Sequence, residues 1–342
     1  MKKVPVSQAV GLTLYHDLTA ILAGGAKGVA FKRGHVVCEA DIPKLMDIGK
    51  YHVFVQEPQD AHLVHEEDAG RMISQAICGP NVHFTTPSEG KYTLYSTIDG
   101  LFILERQALR AINLVPDVTV ACRPSRTMVH AGERLAGARI IPLSTDTCNV
   151  QQVQRIASAA CAPVLQVLPF APLKTGILIV GSEVYDGRIP DAFEPILRKK
   201  LSDFGAEVLG VVKCPDDQAF LHREAAAFKE QGAQVLLFTG GMSVDPDDIT
   251  PHVIRSLCTS FLCQGVPMQP GNMLTMGYWD GTFLMGLPGA SMHSDITSAD
   301  LFLPMVYASL PVTHEDVADL GEGGLCMNCA QCHYPICHFG RK

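Results

Sequence analysis

Three short stretches of this chain gather residue types that can act together on an anionic ligand. The first is "GSEVYDGRIPD", which begins at Gly181 and crowds Ser182, Glu183, Tyr185 and Asp186 into one turn. The second is "FTGGMSVDPDDITP", residues 238–251. There Gly240 and Gly241 leave an apolar run, Ser243 follows, and Asp245, Asp247 and Asp248 fall within four positions. In the third, "LPGAS", Pro288 and Gly289 end another apolar run. Glycine lets a backbone approach a phosphate closely, and a serine hydroxyl can bond one of its oxygens. Carboxylates by themselves repel such a group, but they suit it when Mg2+ lies between them. A helix starting after such a turn adds free N–H groups that receive an anion. One Gly-rich turn alone is ordinary loop chemistry. Three of them at the same edge of one α/β unit form a candidate site.

The elements that must position these turns are legible from Thr175 onward. "TGILIVG", "EVLGVVK", "AQVLLFTGG" and "GTFLMGLPG" read as buried strands. Between them, "DAFEPILRKKLSDFG" and "DDQAFLHREAAAFKEQG" have helical spacing and stop at Gly205 and Gly232. A further helix is expected from about Thr250, and "ASMHSDITSADLFLPMVYASL" reads as a closing helix. The alternation predicts an α/β fold, with a mostly parallel sheet flanked by helices and ligands bound beyond the carboxyl ends of its strands. Ahead of it, smaller β-rich domains are expected. Residues 1–60 read as a small α+β segment and 61–170 as a β-rich accessory domain. In the latter, Asp99-Gly100 is read as a hairpin turn within "KYTLYSTIDGLFIL". "PFAPLK" reads as a linker to the α/β domain, 171–312, and 313–342 as an acidic, Gly-rich linker with a cysteine-rich tail.

Composition narrows the classes of function. The chain has 342 residues, 47% hydrophobic and 18% charged, which is globular rather than disordered. Its net charge of −8 argues against nucleic acid as the main partner. No apolar run reaches bilayer-spanning length, and the apolar part of the first residues is broken by Ser7, Gln8, His16 and Asp17. A cytoplasmic protein is expected, its twelve cysteines reduced or, where they cluster, bound to metal.

Residues 175–310 resemble the molybdopterin-binding domain shared by molybdopterin adenylyltransferases and molybdopterin molybdenumtransferases, the two halves of gephyrin-like proteins. The resemblance is carried by the turn from Gly181 to Glu183 with Tyr185 and Asp186, by "GGMS" with Asp248 and the following "ITP", and then by "PGN" and "LPG". It implies binding of molybdopterin or its adenylylated form through the phosphate, with Mg2+. Glu183 and Asp248 then stand at catalytic positions. Gly181, Ser182, Asp186, Gly240, Gly241, Ser243, Asp247, Pro288 and Gly289 fall at cofactor-binding positions, and Asp245 joins Asp248 toward the metal. Asp216 and Asp217 match a looser acidic pair after the second strand.

The function implied is molybdenum cofactor biosynthesis as a molybdenumtransferase-like transferase that uses molybdate. The alternative is a non-catalytic carrier or sensor of the cofactor. A homodimer, and a molybdoenzyme or cofactor-synthesis protein as partner, are implied in the same way. The missing lysines favour the alternative, while the acidic loop with Ser243 favours the transferase. "VGSE" stands where molybdenumtransferases carry "TGDE", and Gln269 and Asn272 stand where they place lysines around the "PG" turn. The "SxxDGYA" signature of the N-terminal half is missing as well.

The stretch "GLCMNCAQCHYPICHFGRK" carries Cys326, Cys329, Cys332 and Cys337. Three thiols at two-residue spacing and a fourth five positions on can converge on one inorganic centre. The spacing is closer to an iron–sulfur loop than to a zinc ribbon, while His333 and His338 keep zinc open. The preceding "HEDVADLGEGG" predicts a tethered module. Elsewhere, His62 and His65 read as a solvated helix start, Tyr185 and Trp279 as packing residues, His293 as a surface or capping residue, and Cys258 and Cys263 as small buried residues.

Overall fold

Runs such as Ile177 to Val180 and Val235 to Phe238 are apolar at every position, so both faces of their strands must be covered. In the computed structural model, which describes residues 1–21, 27–57, 62–85, 90–246 and 248–341, they are. The chain divides into two compact units. One comprises residues 1–95, 105–122 and 134–165, and the other comprises 96–104, 123–133 and 166–342.

The second unit is built on a six-stranded sheet. Its order is Glu207–Cys214, Lys174–Val180, Val235–Thr239, Thr282–Leu287, Thr275–Trp279 and Ser260–Gln264. The first four strands are mutually parallel and the last two are antiparallel additions at one edge. One face packs Ile177, Leu237 and Met285 against Leu197 and Leu201 of helix Phe193–Ser202 and Phe302 of helix Ala299–Tyr307. The other face packs Leu178, Leu236 and Leu284 against Leu221 and Phe228 of helix Gln218–Glu230 and Val253 and Ile254 of helix Thr250–Leu257. The fold is therefore α/β, with a largely parallel sheet flanked by helices and preceded by smaller antiparallel sheets.

In the first unit, Lys2–Pro5 pairs with His52–Val55 and Leu18–Ile21 with Lys27–Phe31, over a small core that includes Val4, Leu14, Leu45 and Val53. Further on, Arg134–Ile140 pairs antiparallel with Tyr92–Ser96 and with Val118–Cys122. Helices Glu66–Ile77 and Thr147–Ala159 pack on each other.

Three sequence expectations are corrected. Asp99-Gly100 does not turn a hairpin, because Gly100–Leu104 pairs with Thr127–Val129 instead of with Tyr92–Ser96. Gly100 is needed for close approach, since a β-carbon there would lie 2.3 Å from the Leu168 carbonyl oxygen. The closing helix is also shorter than expected. Gly289–Met292 is a single 3-10 turn, and the α-helix begins only at Ala299. Polar side chains interrupt the run: the Ser298 hydroxyl donates to Gly271 O, and Asp300 accepts from both the Thr297 amide and its hydroxyl.

The tail, finally, is no tethered module. Helix His314–Ala318 opens with a Thr313/Asp316 capping box, and Asp316 is ion-paired to Arg126. Phe339 is 2% exposed in the core, and the amide of Cys326 donates to Gln269 O at 2.8 Å.

Candidate functional site

Parallel register brings the strand ends together. Val180 lies opposite Cys214, Ile179 opposite Thr239, and Thr239 opposite Leu287. The chain thus leaves the sheet at Gly181, Pro215, Gly240 and Pro288 along one edge, the carboxyl edge where open α/β sheets bind ligands.

At the first turn, the Gly181 amide donates to Cys214 O at 3.0 Å, and one helical turn, Ser182–Tyr185, follows. A β-carbon on Gly181 would sit 2.9 Å from Glu183 Oε1, so the Glu183 carboxylate folds back over this glycine. Asp216 holds Ser182, accepting from its amide at 2.9 Å and its hydroxyl at 2.8 Å. Ser182 is thereby engaged within the protein. Asp217 caps helix Gln218–Glu230 by accepting from the Phe220 amide. Asp186 is paired with Arg188 at 2.6 Å, and the Tyr185 ring meets Phe220 edge-on at 5.7 Å.

The second turn is the most constrained. Gly240 has φ +84° and Gly241 φ +56°. The Thr250 hydroxyl donates to Gly240 O at 2.8 Å, and its amide donates to Gly241 O at 3.2 Å. Thr250 is fully buried and pins both glycines, a role that sequence reading missed. The only signal was its position before Pro251, at a helix start. Met242 turns inward against Ile254 and the Gly286 backbone, while Ser243 and Asp245 face solvent. Asp248 Oδ1 lies 3.7 Å from the β-carbon position on Gly241, so this carboxylate borders the turn. Its amide donates to Asp245 O at 3.0 Å. The residue preceding helix Thr250–Leu257 is Ile249, which makes no side-chain cap. Asp247 lies outside the described residues.

At the third turn Pro288 is buried and Gly289 exposed, and a β-carbon on Gly289 would meet nothing within 4 Å. With only a 3-10 turn following, no long helix points its N-terminus here, contrary to the sequence expectation. One polar atom at this edge is conspicuous. Thr239 Oγ1, immediately before Gly240, is buried without a hydrogen-bond partner among the described residues.

Among the described residues, no three His, Cys, Asp or Glu side chains are placed to hold a single metal ion. Mg2+ asks for less than that, one or two carboxylates with the rest of its shell from phosphate and water. Asp245 and Asp248 are the carboxylates of this turn among the described residues, joined by their backbone hydrogen bond. The tail thiols Cys326, Cys329, Cys332 and Cys337 all line one cavity of about 300 Å³ beside Pro270 and His293. Elsewhere burial pushes the Cys214 thiol up to about 12 and those of Cys258 and Cys263 up to about 11, so these stay protonated and inert at neutral pH. His65, expected at a solvated helix start, does start helix Glu66–Ile77 but is buried, its Nδ1 accepting from the Glu67 amide. Among the described residues, no helix is long and apolar enough to cross a membrane.

Residues 176–308 match the family described as "Probable molybdopterin binding domain", and residues 3–57 match a domain of unknown function. A molybdopterin molybdenumtransferase of Staphylococcus aureus (strain MRSA252) is 29% identical over 135 residues, 39% of this chain and 32% of that protein. A CinA-like protein of Mycolicibacterium gilvum (strain PYR-GCK) is 29% identical over 85 residues, 25% of this chain and 20% of that protein. The chain thus spans a third or less of the length of these curated relatives. Among solved structures, the molybdopterin biosynthesis enzyme MoaB of Thermus thermophilus is similar at 22% identity and TM-score 0.34, covering 39% of this chain and 91% of that one. Residues 176–308 thus resemble the molybdopterin-binding domain family at a divergent level, and a cysteine-bearing segment follows them.

Proposed function

We propose that the carboxyl edge of the second unit binds molybdopterin or its adenylylated form, and that the protein acts in molybdenum cofactor biosynthesis as a molybdenumtransferase-like transferase. The observation that carries this reading is the alignment of three Gly-containing turns at adjacent parallel strand ends, within the segment that matches the family. On this reading the amides of Gly240 and Gly241 and the Ser243 hydroxyl hold the phosphate. Glu183 and Asp248 are the catalytic carboxylates, and the open space at Gly289 admits the ligand backbone. Gly181, Ser182, Asp186, Asp247 and Pro288 line the same site, Ser182 and Asp186 through the bonds they already make. Asp248 and Asp245 would hold Mg2+, which offsets phosphate charge when bound. The orphaned Thr239 hydroxyl supports a polar occupant at this edge, since a buried unpaired hydroxyl costs about 1–3 kcal/mol.

A carrier or sensor role is favoured by one specific observation. At Gln269, where the family places a lysine, the backbone is occupied in docking the tail: its amide donates to Gly324 O, and its carbonyl accepts from Cys326 N. Incubating the purified chain with adenylylated molybdopterin, Mg2+ and molybdate separates the two readings. Release of AMP with molybdenum insertion establishes the transferase. Tight binding without AMP release establishes the carrier. A homodimer in the cytoplasm, serving a molybdoenzyme or cofactor-synthesis partner, belongs to the same proposal.

A further inference from the structure

The tail residues have no part in the strand-end site, yet they are firmly placed. Two backbone bridges clamp the ends of the segment: Gln269 to Gly324 and Cys326 on one side, Gly340 N to Gly323 O at 3.0 Å on the other. Phe339 anchors it in the core, and Cys326 and Cys337 pack against that core as well. Cys329 and Cys332 are exposed at the rim. All four cysteines line one cavity of about 300 Å³, together with Pro270, His293 and Tyr334.

A single zinc requires four donors each about 2.3 Å from one point. The thiols do not converge in that way, for among the described residues no three donors meet at one ion position. The available imidazole is reduced too, since His338 Nε2 is hydrogen-bonded with Leu325 O at 2.8 Å. A polynuclear cluster makes a different demand. Each thiolate binds its own iron, so the sulfurs stay apart and inorganic sulfide fills the space between them. Arg341 is bound to Pro335 O and to Thr127 Oγ1, which places a guanidinium beside the Cys332–Cys337 loop, where it offsets the negative charge of thiolates and sulfide.

From this arrangement we propose that Cys326, Cys329, Cys332 and Cys337 hold an iron–sulfur cluster of the [4Fe–4S] type in this cavity, docked on the Gln269-Pro270 turn of the α/β unit. The site is independent of the molybdopterin reading and stands or falls separately.

The test uses the full chain, purified anaerobically and reconstituted with ferrous iron and sulfide. About four irons and four acid-labile sulfides per chain are expected, with broad visible absorption that bleaches on reduction. Cys329→Ser and Cys332→Ser, both at the exposed rim, are expected to lose iron and sulfide together while keeping the parent circular dichroism spectrum. Cys258→Ser is expected to retain both. Stoichiometric zinc without sulfide would overturn the proposal. So would a parent chain that stays free of iron after reconstitution, or rim variants that keep their full iron and sulfide.

Discussion

Gly240 and Val180 are in such close approach that a β-carbon on Gly240 would lie 1.8 Å from the Val180 carbonyl oxygen. The glycine that sequence reading assigned to phosphate approach is required first by the packing of two neighbouring strand ends. Gly240→Ala should therefore cost about 3 kcal/mol or more, because clash and positive φ act together. Gly289→Ala is the contrast, with open space around it. It should stay within about 0.5 kcal/mol of the parent and yet weaken molybdopterin binding at least about tenfold, or about 1.4 kcal/mol. Urea denaturation and ligand titration read the two effects. A stable Gly240→Ala protein would contradict the packing argument.

Asp248 borders the Gly241 turn, while Ile249 occupies the cap position of the following helix. Asp248→Asn should leave the melting temperature unchanged, since no capping bond is lost, and should abolish the Mg2+ dependence of ligand binding or turnover. Isothermal titration with and without Mg2+ decides it, and unchanged Mg2+ dependence would rule out the metal-binding role proposed for Asp248.

His65 is buried with its Nδ1 accepting a backbone amide, and burial pulls its pKa down to about 4. The folded first unit therefore holds this imidazole neutral, while the unfolded chain protonates near 6.5. Stability from this group is fully present above pH 6.5. It is lost progressively as pH falls from 6.5 toward 4, by an amount on the order of 1–3 kcal/mol. His65→Asn keeps a capping side chain without the titration and should flatten that part of the profile. Denaturant midpoints at pH 7 and pH 5, for parent and variant, measure the difference.

Phe339 is 2% exposed in the core of the second unit, although it stands near the end of the described chain. Phe339→Ala should cost about 3–5 kcal/mol, as for a buried aromatic elsewhere. A loosely attached tail would show almost none. Chemical denaturation distinguishes the two cases, and a change below about 0.5 kcal/mol would contradict the packed tail.

The sequence by itself determined the α/β rhythm, because strands buried on both faces must be apolar throughout and helices must alternate apolar and polar positions at 3.6 spacing. It also placed Gly181, Gly240 and Gly289 at strand ends, since local breakers mark where a strand stops. Tertiary structure decided which groups remain available there. Asp216 takes up Ser182, Arg188 takes up Asp186, and Thr250 pins Gly240 and Gly241, all through partners distant in sequence or invisible to periodicity. It decided the tail in the same way. An acidic, Gly-rich segment reads as a tether, because composition records polarity and not the backbone bridge to Gln269 or the pocket that receives Phe339. Long-range backbone pairing has no local signature, so only the folded chain shows that four cysteines share one cavity.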